Sequence, residues 1–296
     1  MATHPPLSAG QLVQVACLLE ATARKPGNVH RFRDFADTHY LDFALSALAV
    51  GPALDRARAD GVGASVLAAV RATRSLVSTN TNLGIVLLLA PLAAVPEGDP
   101  LAEGVGRVLR ATTVADALAV YQAIRLARPG GLGAAPEQDV AGEPTVTLLD
   151  AMTLAADRDA VARQYAHGFT DVFATALPCL VRELASGRPV ETAVVAAQLA
   201  LLAALPDTLI LRKLGPGEAG EASRRAAGVL AAGWPETAAG RRRCDELDGW
   251  LRDPAHARNP GATADLVTAA LFAALRDGTI PLPMTRGAWG RSPADG

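Results

Sequence analysis

Apolar residues recur at three- and four-residue intervals through most of the chain, and Gly, Pro and short polar stretches cut the pattern. That spacing predicts a succession of amphipathic helices. No run alternates apolar and polar residues, so no strand pair is expected. Ser8 and Gln11 have capping-box spacing and open a first helix that runs to about Arg24, where Lys25-Pro26-Gly27 stops it. Asp37 caps a second helix, which Gly51-Pro52 closes after Val50. Further helices are expected over 62–76, 80–94, 113–126, 148–156, 159–186, 191–205, 219–232 and 238–251, with the long 159–186 segment kinked or split at Pro178. In the last helix Asn259 is the N-cap, Pro260 lies in the first turn and Gly278 is the stop. The Gly/Pro/Ala-rich stretch 128–144 is a loop long enough for a lid, and the tail after Pro281 reads as extended or frayed.

Composition sharpens this picture. Half of the 296 residues (50%) are hydrophobic but only 4% are aromatic, so the apolar mass is Ala, Leu and Val, which suits close helix–helix packing. The expected architecture is all-α, a single-domain multi-helix bundle over residues 1–296, with a central polar pocket at helix ends. Lys and Arg number 28 against 30 Asp and Glu, so no broad basic face points to nucleic acid. The start of the chain lacks a signal-peptide pattern, and the most apolar run, Leu83 to Val95, is too short to span a bilayer. No membrane association and a cytoplasmic location follow as expectations. Cys17, Cys179 and Cys244 have neither metal nor disulfide spacing. The Ala-rich helices can pack within one chain or across a homodimer.

The informative residues are polar ones at the breaks between apolar helices. Four clusters qualify. Glu20 precedes Arg24-Lys25-Pro26-Gly27-Asn28-Val29-His30-Arg31, in which Lys25 and Arg31 can flank phosphate oxygens and Gly27 allows close backbone approach. A solvated helix end accounts for the same cations. Ser78-Thr79-Asn80-Thr81-Asn82 precedes an apolar helix, with more side-chain amides than one cap needs. Asp207 and Arg212, followed by Lys213, bracket an apolar stretch and share a cavity only if a helix bends or starts between them. Asp265 stands alone on an apolar helix, where a carboxylate is costly to bury unless paired or metal-bound. There is no P-loop, dinucleotide fingerprint or nucleophile elbow.

In this order the clusters resemble the triphosphoribosyl-dephospho-CoA synthase family, from about Glu20 to Asp277. The resemblance is carried by Glu20 with Lys25-Pro26-Gly27 and Arg31, Asn80-Thr81 with Gly84, Asp207-Thr208 with Arg212, and Pro260-Gly261 with Ala264-Asp265-Leu266. It implies an all-α transferase that uses ATP as substrate with Mg²⁺. Such an enzyme transfers a triphosphoribosyl group to the ribose 2′-hydroxyl of dephospho-CoA and releases adenine. It also implies small-molecule nucleotides as partners. On this reading Glu20 is a general base, and Asp207 and Asp265 are catalytic stabilisers or Mg²⁺ ligands. Lys25, Arg31, Arg212 and Lys213 hold phosphates, and Asn28, Asn80 and Asn82 bind sugar or phosphate. The chain departs from the family pattern at His30, Asn82, Leu83, Leu209 and Lys213-Leu214. Those departures leave room for another acceptor, for example in pterin-type one-carbon cofactor biosynthesis, or for a helical nucleotide-binding protein without catalysis.

Overall fold

Two helices are apolar on every face, and the others wrap around them. The computed structural model describes residues 7–131, 133–285 and 287–290; parts of the expected loop and tail lie outside the described residues. Among the described residues there are fifteen α-helices and no strand, only an isolated bridge between His30 and Arg33. In chain order they are α1 (Ala9–Thr22), α2 (Tyr40–Asp55), α3 (Ala57–Asp60), α4 (Val62–Leu76), α5 (Leu83–Ala93), α6 (Leu101–Arg110), α7 (Val114–Ala127), α8 (Leu148–Ala155), α9 (Ala160–Ala166), α10 (Leu177–Ala185), α11 (Val190–Ala204), α12 (Thr208–Leu214), α13 (Pro216–Ala231), α14 (Ala238–Leu251) and α15 (Gly261–Arg276). The central pair is α5 and α15, which pack on each other and bury nearly every residue, as helices without a polar face must. A smaller apolar cluster joins α11, α12, α13 and α14, and α11 contributes to both, with Ala193 and Ala197 in the larger and Val195 and Leu199 in the smaller. No single described helix is long and apolar enough to cross a membrane.

The capping-box start at Ser8 is seen as expected, and the helix expected over 113–126 is present with Thr113 as its cap. The second helix differs from its expectation. It starts after His39, with Asp42 returning to the His39 N–H, and it runs straight through Gly51-Pro52. The Gly–Pro pair serves packing here. A Cβ on Gly10 would meet Gly51 O at 2.2 Å, so the two glycines let α1 and α2 touch. Pro52 cannot donate to Leu48 O, and Gln14 Nε2 on α1 fills that place at 2.8 Å. The expected 159–186 helix is three pieces. Gly168 and Phe169 adopt left-handed backbone (φ 62° and 63°), a π turn spans Val172–Ala176, and Pro178 sits in the first turn of α10 instead of kinking a helix. Helices α6 and α12 were not expected. The described end of the tail is docked: Ala288 O and Trp289 O accept from Val190 N and Glu191 N at the start of α11.

One carboxylate joins two of these helices. Asp207 caps α12, its Oδ1 accepting from Leu209 N (2.8 Å) and Ile210 N (3.1 Å). Its Oδ2 accepts from Thr263 N and Thr263 Oγ1, both at 2.7 Å, in the first turn of α15. All its acceptor directions are filled by protein. Loss of a cap and of buried charge-assisted bonds together predicts that Asp207→Ala lowers stability by about 2–4 kcal/mol in urea unfolding. Wild-type stability with lost turnover would instead return Asp207 to the catalytic set.

Candidate active site

The starts of α5, α9, α12 and α15 open onto one cavity of about 480 Å³. Helix starts present unpaired N–H groups and a positive dipole end, so their convergence favours an anionic ligand. The lining is of two kinds. Ile85, Leu87, Val120, Ile124, Leu148, Met152 and Val161 are apolar. Glu20, Asn28, Asn80, Asn82, Asp159, Arg212, Lys213, Asn259 and Asp265 are polar. The 128–144 loop contributes wall residues including Gly133, Gln138 and Val140, anchored where Tyr121 Oη and Arg125 Nη1 donate to Gln138 O and Val140 O, each at 2.5 Å.

Two carboxylates lie at the base of the site, from helices at opposite ends of the chain. Glu20 is 3% exposed and ion-paired to Lys25 Nζ at 2.9 Å. Asp265, in the first turns of α15, makes no side-chain hydrogen bond among the described residues. Burial pushes its pKa well above the usual carboxylate range; the negative charges of Glu20, Asp207 and Asp159 add to this and Arg212 opposes it. Gly84 makes room for it, since a Cβ there would lie 2.0 Å from Asp265 Oδ2. Cys17, buried on α1 near both acids, is pushed up by the same causes and stays a neutral thiol.

Several expected ligand contacts are corrected by this geometry. Lys25 is 0% exposed and is absent from the cavity wall; its ammonium donates to Glu20 O as well as to the Glu20 carboxylate, so it cannot reach a phosphate. Arg31 also lies off the wall, ion-paired to Glu191 and set over the Phe32 and Trp289 rings. Gly27 serves packing, because its positive φ (78°) and close approach to Leu251 and Pro260 exclude a side chain. Asp207 is saturated, as above, and is not on the wall. Among the described residues no three acidic, His or Cys groups come together; Asp207 has no oxygen free for an ion, since Leu209, Ile210 and Thr263 fill its acceptor positions, whereas the Asp265 carboxylate faces the cavity.

Other residues do reach the cavity. Asn28 accepts from Gln198 Nε2 (2.6 Å) and donates to Asn259 Oδ1 (2.7 Å), so the two asparagines are held as a pair. Asn259 therefore does not cap α15; Pro260 occupies that position. Asn80 Oδ1 accepts from Leu83 N, and Asn82 donates to Thr73 Oγ1, which fixes the loop before α5. Arg212 Nη1 donates to Asp159 Oδ2 at 2.5 Å, and its Nε is buried with no partner. Lys213 Nζ reaches only His256 O, at 3.5 Å. The departure at His30 is a buried imidazole, lowered to about 4 by burial and by Arg252 and Lys25, hence neutral. Sequence reasoning missed Asp159 as the residue that braces Arg212, though its N-cap role for α9 was a visible signal. It missed His256 entirely; the ring stacks on Phe35 at 4.0 Å on the cavity wall.

The model of the family described as ATP:dephospho-CoA triphosphoribosyl transferase matches residues 6–282. The chain belongs to this family. Among relatives in it, a Pseudomonas putida protein described as a probable 2-(5''-triphosphoribosyl)-3'-dephosphocoenzyme-A synthase is 34% identical over 65% of this chain and 61% of its own. A Pseudomonas aeruginosa protein of the same description is 30% identical over 74% of this chain and 66% of its own. The matched segments thus span about two thirds or less of the length of these curated relatives. The crystal structure of a candidate triphosphoribosyl-dephospho-CoA synthase from Archaeoglobus fulgidus superposes with a TM-score of 0.61 at 28% identity, covering 79% of this chain and 98% of that one. The all-helical family fold expected from the sequence is therefore observed.

The Gly84 contact gives a sharp test of the site. Gly84→Ala should displace the Asp265 carboxylate and lower turnover about tenfold or more, with the helix content by circular dichroism unchanged. Full activity in this variant would mean that the position of Asp265 does not matter.

Proposed function

We propose that the protein transfers the triphosphoribosyl group of ATP to the 2′-hydroxyl of dephospho-CoA and releases adenine. The observation that carries this reading is the meeting of Glu20 and Asp265 in one cavity with Arg212, within a chain of this family. The reaction breaks the C1′–N9 bond of ATP and forms a C1′–O bond. Positive charge develops at C1′ as the bond lengthens, and nearby carboxylate stabilises it, as in glycoside cleavage. The attacking hydroxyl must lose its proton, and Glu20 is the base within the cavity.

The triphosphate falls to the cationic side of the wall. Arg212 is held by Asp159 through one nitrogen, and its buried Nε lacks an acceptor that a phosphate oxygen would supply. Lys213 adds a second charge. The starts of α5 and α15 offer first-turn N–H groups to the same anion. The chain builds no cage of its own for Mg²⁺ among the described residues. The ion would come with the substrate, because magnesium keeps most of its oxygens from phosphates and water.

Incubation with ATP, dephospho-CoA and Mg²⁺ should release free adenine in step with the transfer product, both followed by chromatography. Replacing dephospho-CoA with other ribosyl acceptors tests the acceptor in the same assay. Arg212→Ala should raise KM for ATP by about 10- to 100-fold, the worth of a charge-assisted contact. Absence of adenine with every acceptor would remove the transferase reading.

A further inference from the structure

Lys25 is a charge of the first cluster that the substrate cannot touch. It is wholly buried and lies behind the cavity wall. Its ammonium donates to Glu20 Oε1 at 2.9 Å and to Glu20 O at 2.5 Å, with Ala23 O at 3.5 Å. Both ends of Glu20, backbone and carboxylate, are thus gripped by one cation. Burying an unpaired ammonium is costly, so the pair stands or falls together.

Asp265 has the opposite surroundings. The charged and titratable groups that bear on it are Glu20 and Cys17 of α1, Asp159 before α9, Asp207 before α12, and Arg212 of α12. Asp207 accepts from four donors of Leu209, Ile210 and Thr263. Arg212 is engaged by Asp159. Glu20 is engaged by Lys25. Asp265 alone has neither a cation nor a hydrogen-bond donor of its own among the described residues. Two acids that face one cavity, only one of them paired with a cation, favour one ionised and one protonated carboxyl.

We propose that Lys25 is a positioning residue that divides the proton work: the Glu20 it holds accepts the proton of the attacking hydroxyl, and Asp265 donates a proton to the departing purine. This rests on the transferase reading above. In the step, the hydroxyl oxygen bonds to C1′ and its proton goes to Glu20. The C1′–N9 bond breaks with its electron pair going to the purine, and Asp265 passes its proton to a purine nitrogen. Glu20 is then protonated and Asp265 ionised. Transfer of one proton from Glu20 to Asp265 restores the pair, so no outside acid or base is consumed.

The test uses the full chain with ATP and with its N7-methylated analogue, whose leaving base is already cationic and needs no acid. Wild-type release of adenine establishes the transferase reading first; its absence would end that reading, and this inference with it. Asp265→Asn should then lose about 100-fold or more with ATP but far less with the methylated donor, whereas Glu20→Gln should lose equally with both. Equal losses for Asp265→Asn on the two donors would overturn the acid role while leaving the transferase reading intact. Lys25→Met should lower kcat about 100-fold with KM for ATP within about twofold. A rise in KM with unchanged kcat would make Lys25 a mere support for binding and overturn the proposal. If Lys25→Met does not fold by circular dichroism, the donor comparison on Asp265→Asn decides it.

Discussion

Asp207 accepts from four donors on two helices, and the cavity takes its shape from that clamp. Its Oδ1 starts α12, which carries Leu209, Arg212 and Lys213 to the wall. Its Oδ2 holds Thr263, two residues before Asp265 on α15. Burial raises the pKa of Asp207 while the donors from Thr263, Ile210 and Leu209 pull it back, as expected of a desolvated carboxylate stabilised by fixed dipoles. A short helix such as α12 is marginal by itself, so its orientation depends on this cap and on packing. Arg212 and Lys213 on one side and Asp265 on the other are therefore registered to each other through one side chain.

The same constraint explains what could be read in the sequence and what could not. The period of the apolar residues gives helices wherever a helix is long and amphipathic, and the Ser8 and Thr113 caps are local, so both are legible. Gly51-Pro52 was read as a stop because the donor that replaces the missing Pro52 N–H sits on another helix, at Gln14. Nothing local announces it. Glycines had the same effect on α6, where Gly104 is there because Val95 packs against it; a Cβ would meet Val95 Cγ1 at 2.3 Å. The 159–186 segment was read as one helix because Gly168 was passed over in favour of Pro178.

The candidate site was legible as a set of clusters and much less so as a set of roles. Residue type says that Lys25, Asp207 and Arg31 bear charge, but only the fold says which way each charge faces. Lys25 and Arg31 turn to acids of their own protein, Glu20 and Glu191. Asp207 turns to backbone N–H groups. Asp265, alone on an apolar helix, and Arg212 both reach the cavity, Arg212 with its Nε unpartnered and Asp265 with no side-chain hydrogen bond among the described residues.

That distinction separates scaffold from chemistry by a physical criterion. A buried polar group whose partners all come from the protein has no free energy left to give a ligand. One left short of partners carries a standing cost that a ligand can relieve. On this criterion Asp207, Lys25 and Arg31 belong to the scaffold of the cavity. Arg212, with an orphaned Nε, and Asp265, with no donor of its own, are where an anion and a proton are missing. An anionic substrate supplies the first. On the transferase reading proposed above, the second is supplied by Asp265 itself, holding a proton beside the Lys25-bound Glu20 until the nucleotide arrives.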